Sequence, residues 1–347
     1  MNKQWIRQAA AAAAVIALLA SAVGCSNEQE PKTESQAEAP QEDLADDTTD
    51  PKDDANADAQ AEADAASEAA AAELLQQFQD KLEEAAQAKE ITAFIDERMP
   101  EAPVEAADKM VSGLLDYYEN DSARVEKAFE SADVQAALMA AEWPVTLENA
   151  AQIEDERIRA LTLDALQGGY KLMMAEGYIF PQVDYGAWMR HAERLSPELA
   201  DYIGLMALES DEPSVVDAGL TVSWDELGGR GLQAETFLMT YPDAEAYAEV
   251  QKLFERYMAV YLQGVDNTPI YSYEGYRLSD EVEASYRKLA SDNPGTAAAS
   301  AVNGYLQLLE ARDWRILEGD SASSGVAPEI MSYWEGLRLM LDELLHG

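Results

Sequence analysis

The side chains able to do chemistry are few. Histidine stands only at 191 and 346 and cysteine only at 25 in 347 residues, so no multi-His or thiolate zinc site can be assembled. No HExxH, Walker A, GxGxxG or GxSxG motif occurs. Asp46, Asp47 and Asp50 have the DDxxD spacing that, on a buried helix, holds magnesium and pyrophosphate. Here they stand in a polar stretch with nothing to preorganise them, and they read as a solvated spacer. With 67 Asp and Glu, carboxylate pairs arise by chance, and neither Asp184 nor Glu198 stands out as half of a glycosidase-like pair. No catalytic residue, metal ligand or cofactor is assigned, and the chain reads as a non-enzyme.

Two aromatic clusters stand out instead. Tyr178, Phe180, Tyr185 and Trp188 crowd around Pro181, Asp184, Arg190 and His191, while Tyr271, Tyr273 and Tyr276 follow Asp266 and Asn267. Flat rings with a polar handle suit peptides, glycans or proline-rich segments, so both clusters are candidate binding surfaces. For the first, the competing reading is packed core around a proline-bearing connection between helices.

The elements that must position these clusters are helical. Leu75, Phe78, Leu82 and Ala86 recur at helical spacing, as do Val104, Ala107, Val111, Leu114 and Tyr118 after Pro103, then Val125, Phe129, Ala132 and Leu138. Ile158, Leu161, Ala165, Leu172 and Met173 predict a helix stopped by Gly177. Ser196-Pro197 and a capping box, Ser223-Trp224-Asp225-Glu226, open two more, and the last helix runs from Pro328 through Trp334 to Leu344. Only 268–278 reads as an extended piece or hairpin. Residues 68–347 are therefore expected to form an all-α domain, with a possible sub-boundary near 212–222.

Within it, Val250, Leu253, Phe254 and Tyr257 follow Pro242 at the offsets at which Val302, Tyr305, Leu306 and Leu309 follow Pro294. The stretch AETFLMTYPDA, residues 234–244, resembles the join between successive tetratricopeptide-like repeats. That resemblance, over 223–312, implies a repeat-like stack of helix pairs; an irregular helical bundle is the other architecture the periodicity allows. In a stack, the Tyr271 cluster would sit in an insertion between repeats, where such folds often carry their binding face.

The N-terminus supplies an address. Lys3 and Arg7 precede an apolar run, 9–20, that is too short and wrongly flanked for a spanning helix and ends in Ser21, Ala22 and Gly24, the order of a secretory signal peptide. Ala22-Val23-Gly24-Cys25 resembles the lipobox of bacterial lipoprotein precursors, with Ala22 where that family usually has Leu. The resemblance implies that 1–24 is a signal peptide and that Cys25 becomes a lipid-modified first residue. A lone exported thiol has no disulfide partner, and lipidation removes that liability; two acyl chains also give stable anchoring. Ser26 does not resemble the aspartate that favours inner-membrane retention. The expected location is thus the extracytoplasmic face of a Gram-positive membrane or a Gram-negative outer membrane. Residues 25–67, with Leu44 as the exception among small and polar residues, are expected to be a disordered acidic tether spanning roughly 40 Å.

A formal net charge of −43 argues against nucleic acid and against polybasic contact with anionic lipid. It leaves a basic or neutral partner, or loosely held divalent cations, and acts as a solubility device in its own right. Near the C-terminus, Gly319-Asp320-Ser321-Ala322 with Asp342, Glu343 and His346 resembles the serine motif of GDS-type hydrolases in its letters. In that family the motif follows a strand near the start of the domain, whereas here it stands in a Ser/Gly loop near the end, and no triad is expected.

Three functional classes follow. An anchored helical module that docks an envelope protein or cell-wall polymer fits the tether, the helices and the missing motifs. A small-ligand receptor would need a closed cleft, and the α/β alternation of the usual solute-binding folds is missing. An envelope hydrolase would need a deep pocket holding an acid of raised pKa.

Overall fold

α1 (Pro51–Glu84) opens the part of the chain that the computed structural model describes, residues 51–319, 321 and 323–346. The signal peptide, the lipobox with Cys25 and the DDxxD run at 46–50 lie outside the described residues, as do Asp320 and Ala322. α1 begins inside the stretch expected to be disordered tether. Composition that forbids a hydrophobic core does not forbid a helix, and this stretch is rich in alanine, the strongest helix former. Residues 57–347 form one compact unit.

α2 (Ala88–Arg98), a 3-10 turn (Met99–Glu101), α3 (Val104–Phe129) and α4 (Ala132–Ala140) follow. α3 buries Ala107, Val111, Leu114 and Tyr118 of the expected stripe, and Met110 besides, whereas Val104 in its first turn is 50% exposed. After α5 (Leu147–Ala150), α6 (Glu156–Gln167) ends earlier than the sequence suggests. The helix expected through Leu172 and Met173 is instead an antiparallel hairpin, β1 (Tyr170–Ala175) with β2 (Tyr178–Val183).

The cause is Gly168-Gly169 at the end of α6. Gly169 has a φ of +80°, and a Cβ there would overlap the Tyr118 hydroxyl, so the helix cannot continue. Beyond it Tyr170 and Leu172 are buried while Lys171 and Met173 are less so, a period of two. Glu176 and Gly177, both at positive φ, close the two-residue turn. The outer edge of β2 is blocked where the Gln135 amide pairs with both the N–H and the C=O of Ile179, at 2.9 and 2.7 Å.

α7 (Tyr185–Trp188), a 3-10 turn (Met189–Arg194) and α8 (Pro197–Asp211) lead into the second half. There β3 (Val215–Val216) and β4 (Gly219–Leu220) form a small hairpin before α9 (Trp224–Thr240) and α10 (Tyr247–Gln263). β5 (Gly264–Val265) and β6 (Thr268–Pro269) form another before α11 (Asp280–Asp292), α12 (Ala297–Ala311) and α13 (Pro328–His346). α9 packs on α10 and α11 on α12, and α13 packs against α10 and α12. The proline-led helices α10 and α12 are the second members of these pairs and bury the residues at matching offsets, Val250, Leu253, Phe254 and Tyr257 against Val302, Tyr305, Leu306 and Leu309. The protein is all-α, with short hairpins confined to connections.

Two buried charges fasten this arrangement. Arg230 on α9, 1% exposed, pairs with Glu209 at 3.1 Å and Glu226 at 3.0 Å and donates to the Glu212 carbonyl at 2.7 Å. It thereby spans residues 212–222, where the sequence allowed a boundary. Ser223 caps α9, accepting the Glu226 N–H, but the Glu226 carboxylate goes to Arg230 instead of back to the cap, so the expected capping box is half formed. Glu235, also on α9, accepts the N–H groups of Ala297 and Ala298 at 2.5 and 2.9 Å, capping α12 from a neighbouring helix. A line of rings, Trp224, Tyr261, Tyr286, Tyr305 and Tyr333, joins α9 to α13, with successive centroids 6.3, 4.8, 6.2 and 5.2 Å apart.

Candidate functional site

Short turns join α9 to α10 and α11 to α12, while long connections follow α8, α10 and α12. The long connections are hydrogen-bonded to one another. The Glu176 N–H of the first hairpin donates to the Asp217 carboxylate at 3.1 Å, and Asn267 donates to the Ala218 carbonyl at 2.8 Å and, through its amide, to the Asp217 carbonyl at 2.6 Å. Further along, Leu278 donates to the Trp314 carbonyl at 2.8 Å and Ile316 to the Tyr276 carbonyl at 2.9 Å. The result is a continuous ledge of loops from the β1–β2 turn to residue 316.

Backbone strain is concentrated there. Among the described residues, the non-glycine positions at positive φ are Glu176, Asp217, Ala218, Tyr276, Asp313 and Trp314, and all six belong to the ledge. Glu176, Asp217 and Ala218 occupy two-residue hairpin turns, which demand that region. Tyr276 at +53° and Trp314 at +64° are bulky residues in the left-handed region, a conformation that persists only where the surroundings over-determine it. The Arg277–Asp313 pair beside them, at 2.8 and 2.9 Å, holds the Asp313 carboxyl below the usual carboxylate range and raises Arg277 in return.

On this ledge the second aromatic cluster comes together. The Tyr271 ring lies 5.9 Å from Tyr273 at 80° and 6.0 Å from Tyr276 at 57°. Tyr273 is 64% exposed and Tyr271 and Tyr276 are half-buried. Partial burial, with the two neighbouring phenols, pushes the Tyr271 hydroxyl up. Asp266 and Glu274 are exposed on the same α10–α11 connection. Trp314, against which Arg287 stacks at 5.1 Å, belongs to the same region and was not flagged by the sequence, because its place beside Tyr276 depends on pairing across the α10–α11 and α12–α13 connections.

The first cluster is divided between core and surface. Trp188 is 2% exposed and belongs to the core, and Tyr185 packs edge-on against Tyr202 at 6.5 Å, its hydroxyl pushed up to about 12 by burial. Tyr178, Phe180 and Pro181 are half-buried on β2. Arg190 lies 4.7 Å over the Trp188 ring and, with His191, binds Asp96 at 2.7 and 2.8 Å. Asp184 caps α7 and pairs with Lys171, and Glu198 stands exposed in the first turn of α8. The hairpin, with its turn positions and its β2 side chains, replaces the proline-bearing connection between helices that the sequence suggested.

Chemical groups elsewhere are paired for structure. The Ser321 hydroxyl bonds to those of Ser323 and Ser324, while His346 bonds to the Asp342 carbonyl and the Tyr247 hydroxyl, so no hydrogen bond links Ser321 to His346. Among the described residues no group of three or more His, Cys, Asp or Glu is placed to hold a metal ion. No described helix is long and apolar enough to cross a membrane. Two open depressions, of about 320 Å³ between α9 and α11 and about 520 Å³ between α10 and α13, are lined partly by exposed Lys288 and by exposed Lys252 and Arg338. In the second, burial pushes the Glu255 carboxyl up against the opposing effect of Arg338. No protein-family model matches the chain, and no curated protein or solved structure is significantly similar to it.

Proposed function

We propose that this protein is a lipid-anchored extracytoplasmic lipoprotein whose helical body docks an envelope protein or cell-wall polymer on its loop ledge, without catalysis. The observation that supports this reading is the ledge itself, where one exposed and two half-buried tyrosines are held on a backbone that takes positive φ at six non-glycine positions and is cross-linked by hydrogen bonds. Pre-organised aromatic loops on a rigid scaffold are the usual form of a binding surface. The lipobox-like Ala22-Val23-Gly24-Cys25 supports anchoring through Cys25, and the acidic stretch after it supports a standoff from the membrane. The fold is read as a repeat-like stack whose insertions carry the binding face.

The test is fractionation and mass spectrometry of the N-terminus in cells producing the wild type or Cys25→Ser. Wild type is expected in the membrane fraction, cleaved before Cys25 and carrying the mass of two acyl chains or more, and Cys25→Ser in the soluble extracytoplasmic fraction. A wild-type chain that stays in the cytoplasm with an unmodified Cys25 would overturn the reading.

A further inference from the structure

The three ledge tyrosines have a geometry that narrows the partner. Tyr273 and Tyr276 flank Tyr271, each about 6 Å from it and steeply inclined, at 80° and 57°. Tyr271 thus packs against both rings, and the three together, with Tyr273 turned to solvent, form an aromatic bay. Aromatic faces attract cations, and several rings around one position are the arrangement that takes an alkylammonium group. Asp266 and Glu274 stand exposed on the same loop, and neither carboxylate has a side-chain partner among the described residues, whereas Asp313 nearby is neutralised by Arg277. The whole chain, at −43, raises the local concentration of any cation.

From this we infer that the Tyr271–Tyr273–Tyr276 bay binds the side-chain ammonium of a lysine carried by a basic partner protein, an inference that rests on the docking reading above. The bay is open, with Tyr273 64% exposed, so it suits a side chain presented on a surface better than a small ammonium compound that must be enclosed to be held.

The experiment titrates the full chain in detergent, at fixed physiological ionic strength, with a short unstructured peptide carrying several lysines, its Nε-acetylated form, and choline. Tyrosine fluorescence and calorimetry report binding, and circular dichroism confirms that each variant is folded. The lysine peptide is expected to bind wild type and Tyr273→Phe alike and Tyr273→Ala and Tyr271→Ala about fivefold more weakly. Because these substitutions leave net charge unchanged, that loss separates the rings from the general field of the protein. Equal binding by Tyr273→Ala and wild type, or by acetylated and unmodified peptide, would overturn the inference. Choline binding more tightly than the peptide with the same dependence on Tyr273 would overturn the assignment to a protein-borne lysine. An envelope partner captured equally by wild type and Tyr273→Ala would overturn the ammonium bay and leave the docking reading standing.

Discussion

Ala218 sits at a φ of +57° in the β3–β4 turn, a conformation that glycine adopts freely and alanine does not. Its carbonyl is held by the Asn267 N–H, so the strain is fixed by the neighbouring loop. Ala218→Gly should therefore keep the ledge intact and stabilise the protein by up to about 1 kcal/mol, less the added entropy of the unfolded chain, read as a rise in the urea midpoint at constant slope. A drop of that size would mean that the turn is not left-handed. The same scale shows why the site was half legible in the sequence. Tyr271, Tyr273 and Tyr276 are close in the chain and were found together, whereas Trp314 and Asp313 reach them through a pairing that leaves no local trace. Trp188, a candidate surface residue from its sequence context, is core, because a tryptophan beside polar residues looks the same in sequence whether or not Tyr118 of α3 and Gly169 lie against it.

Among the elements, α12 depends on a carboxylate from elsewhere. Glu235 satisfies the Ala297 and Ala298 N–H groups in a buried site, in addition to the local cap that Thr296 gives Ala299. Glu235→Ala should cost about 2 kcal/mol in urea unfolding, because two buried donors lose their acceptor, and Glu235→Gln should cost less. Glu281→Ala, exposed in the first turn of α11, should stay within about 0.5 kcal/mol. Equal effects at 235 and 281 would contradict the cap. Helix periodicity revealed most of these elements because their stripes repeat over three or more turns. It failed at 170–175, where Leu172, Met173 and Met174 fit either period and the decision lay with Gly169 pressed against Tyr118.

For the whole molecule, the buried tyrosines make stability sensitive to alkali. Burial raises the hydroxyls of Tyr118, Tyr202, Tyr257, Tyr261, Tyr286 and Tyr305, each above the ordinary value of 10.0. The folded state then keeps protons that the unfolded state releases. Stability is fully present below about pH 10 and declines as pH rises beyond it, so tyrosine ionisation at these positions should coincide with unfolding in an alkaline titration. Ionisation of all tyrosines well before the loss of helix would contradict the packing. The charge of −43 and the lipobox-like start were readable from sequence and carry the anchored part of the account; the ledge was not, since it exists only when three connections far apart in the chain align. The most direct test of that ledge as the docking face is site-specific photocrosslinking in living cells, with a photoreactive aromatic residue at Tyr273 or, as control, at Leu339, both 64% exposed. The account predicts a discrete adduct from position 273 that weakens when Cys25→Ser removes the anchor, and none from 339. Adducts from 339 alone would contradict it.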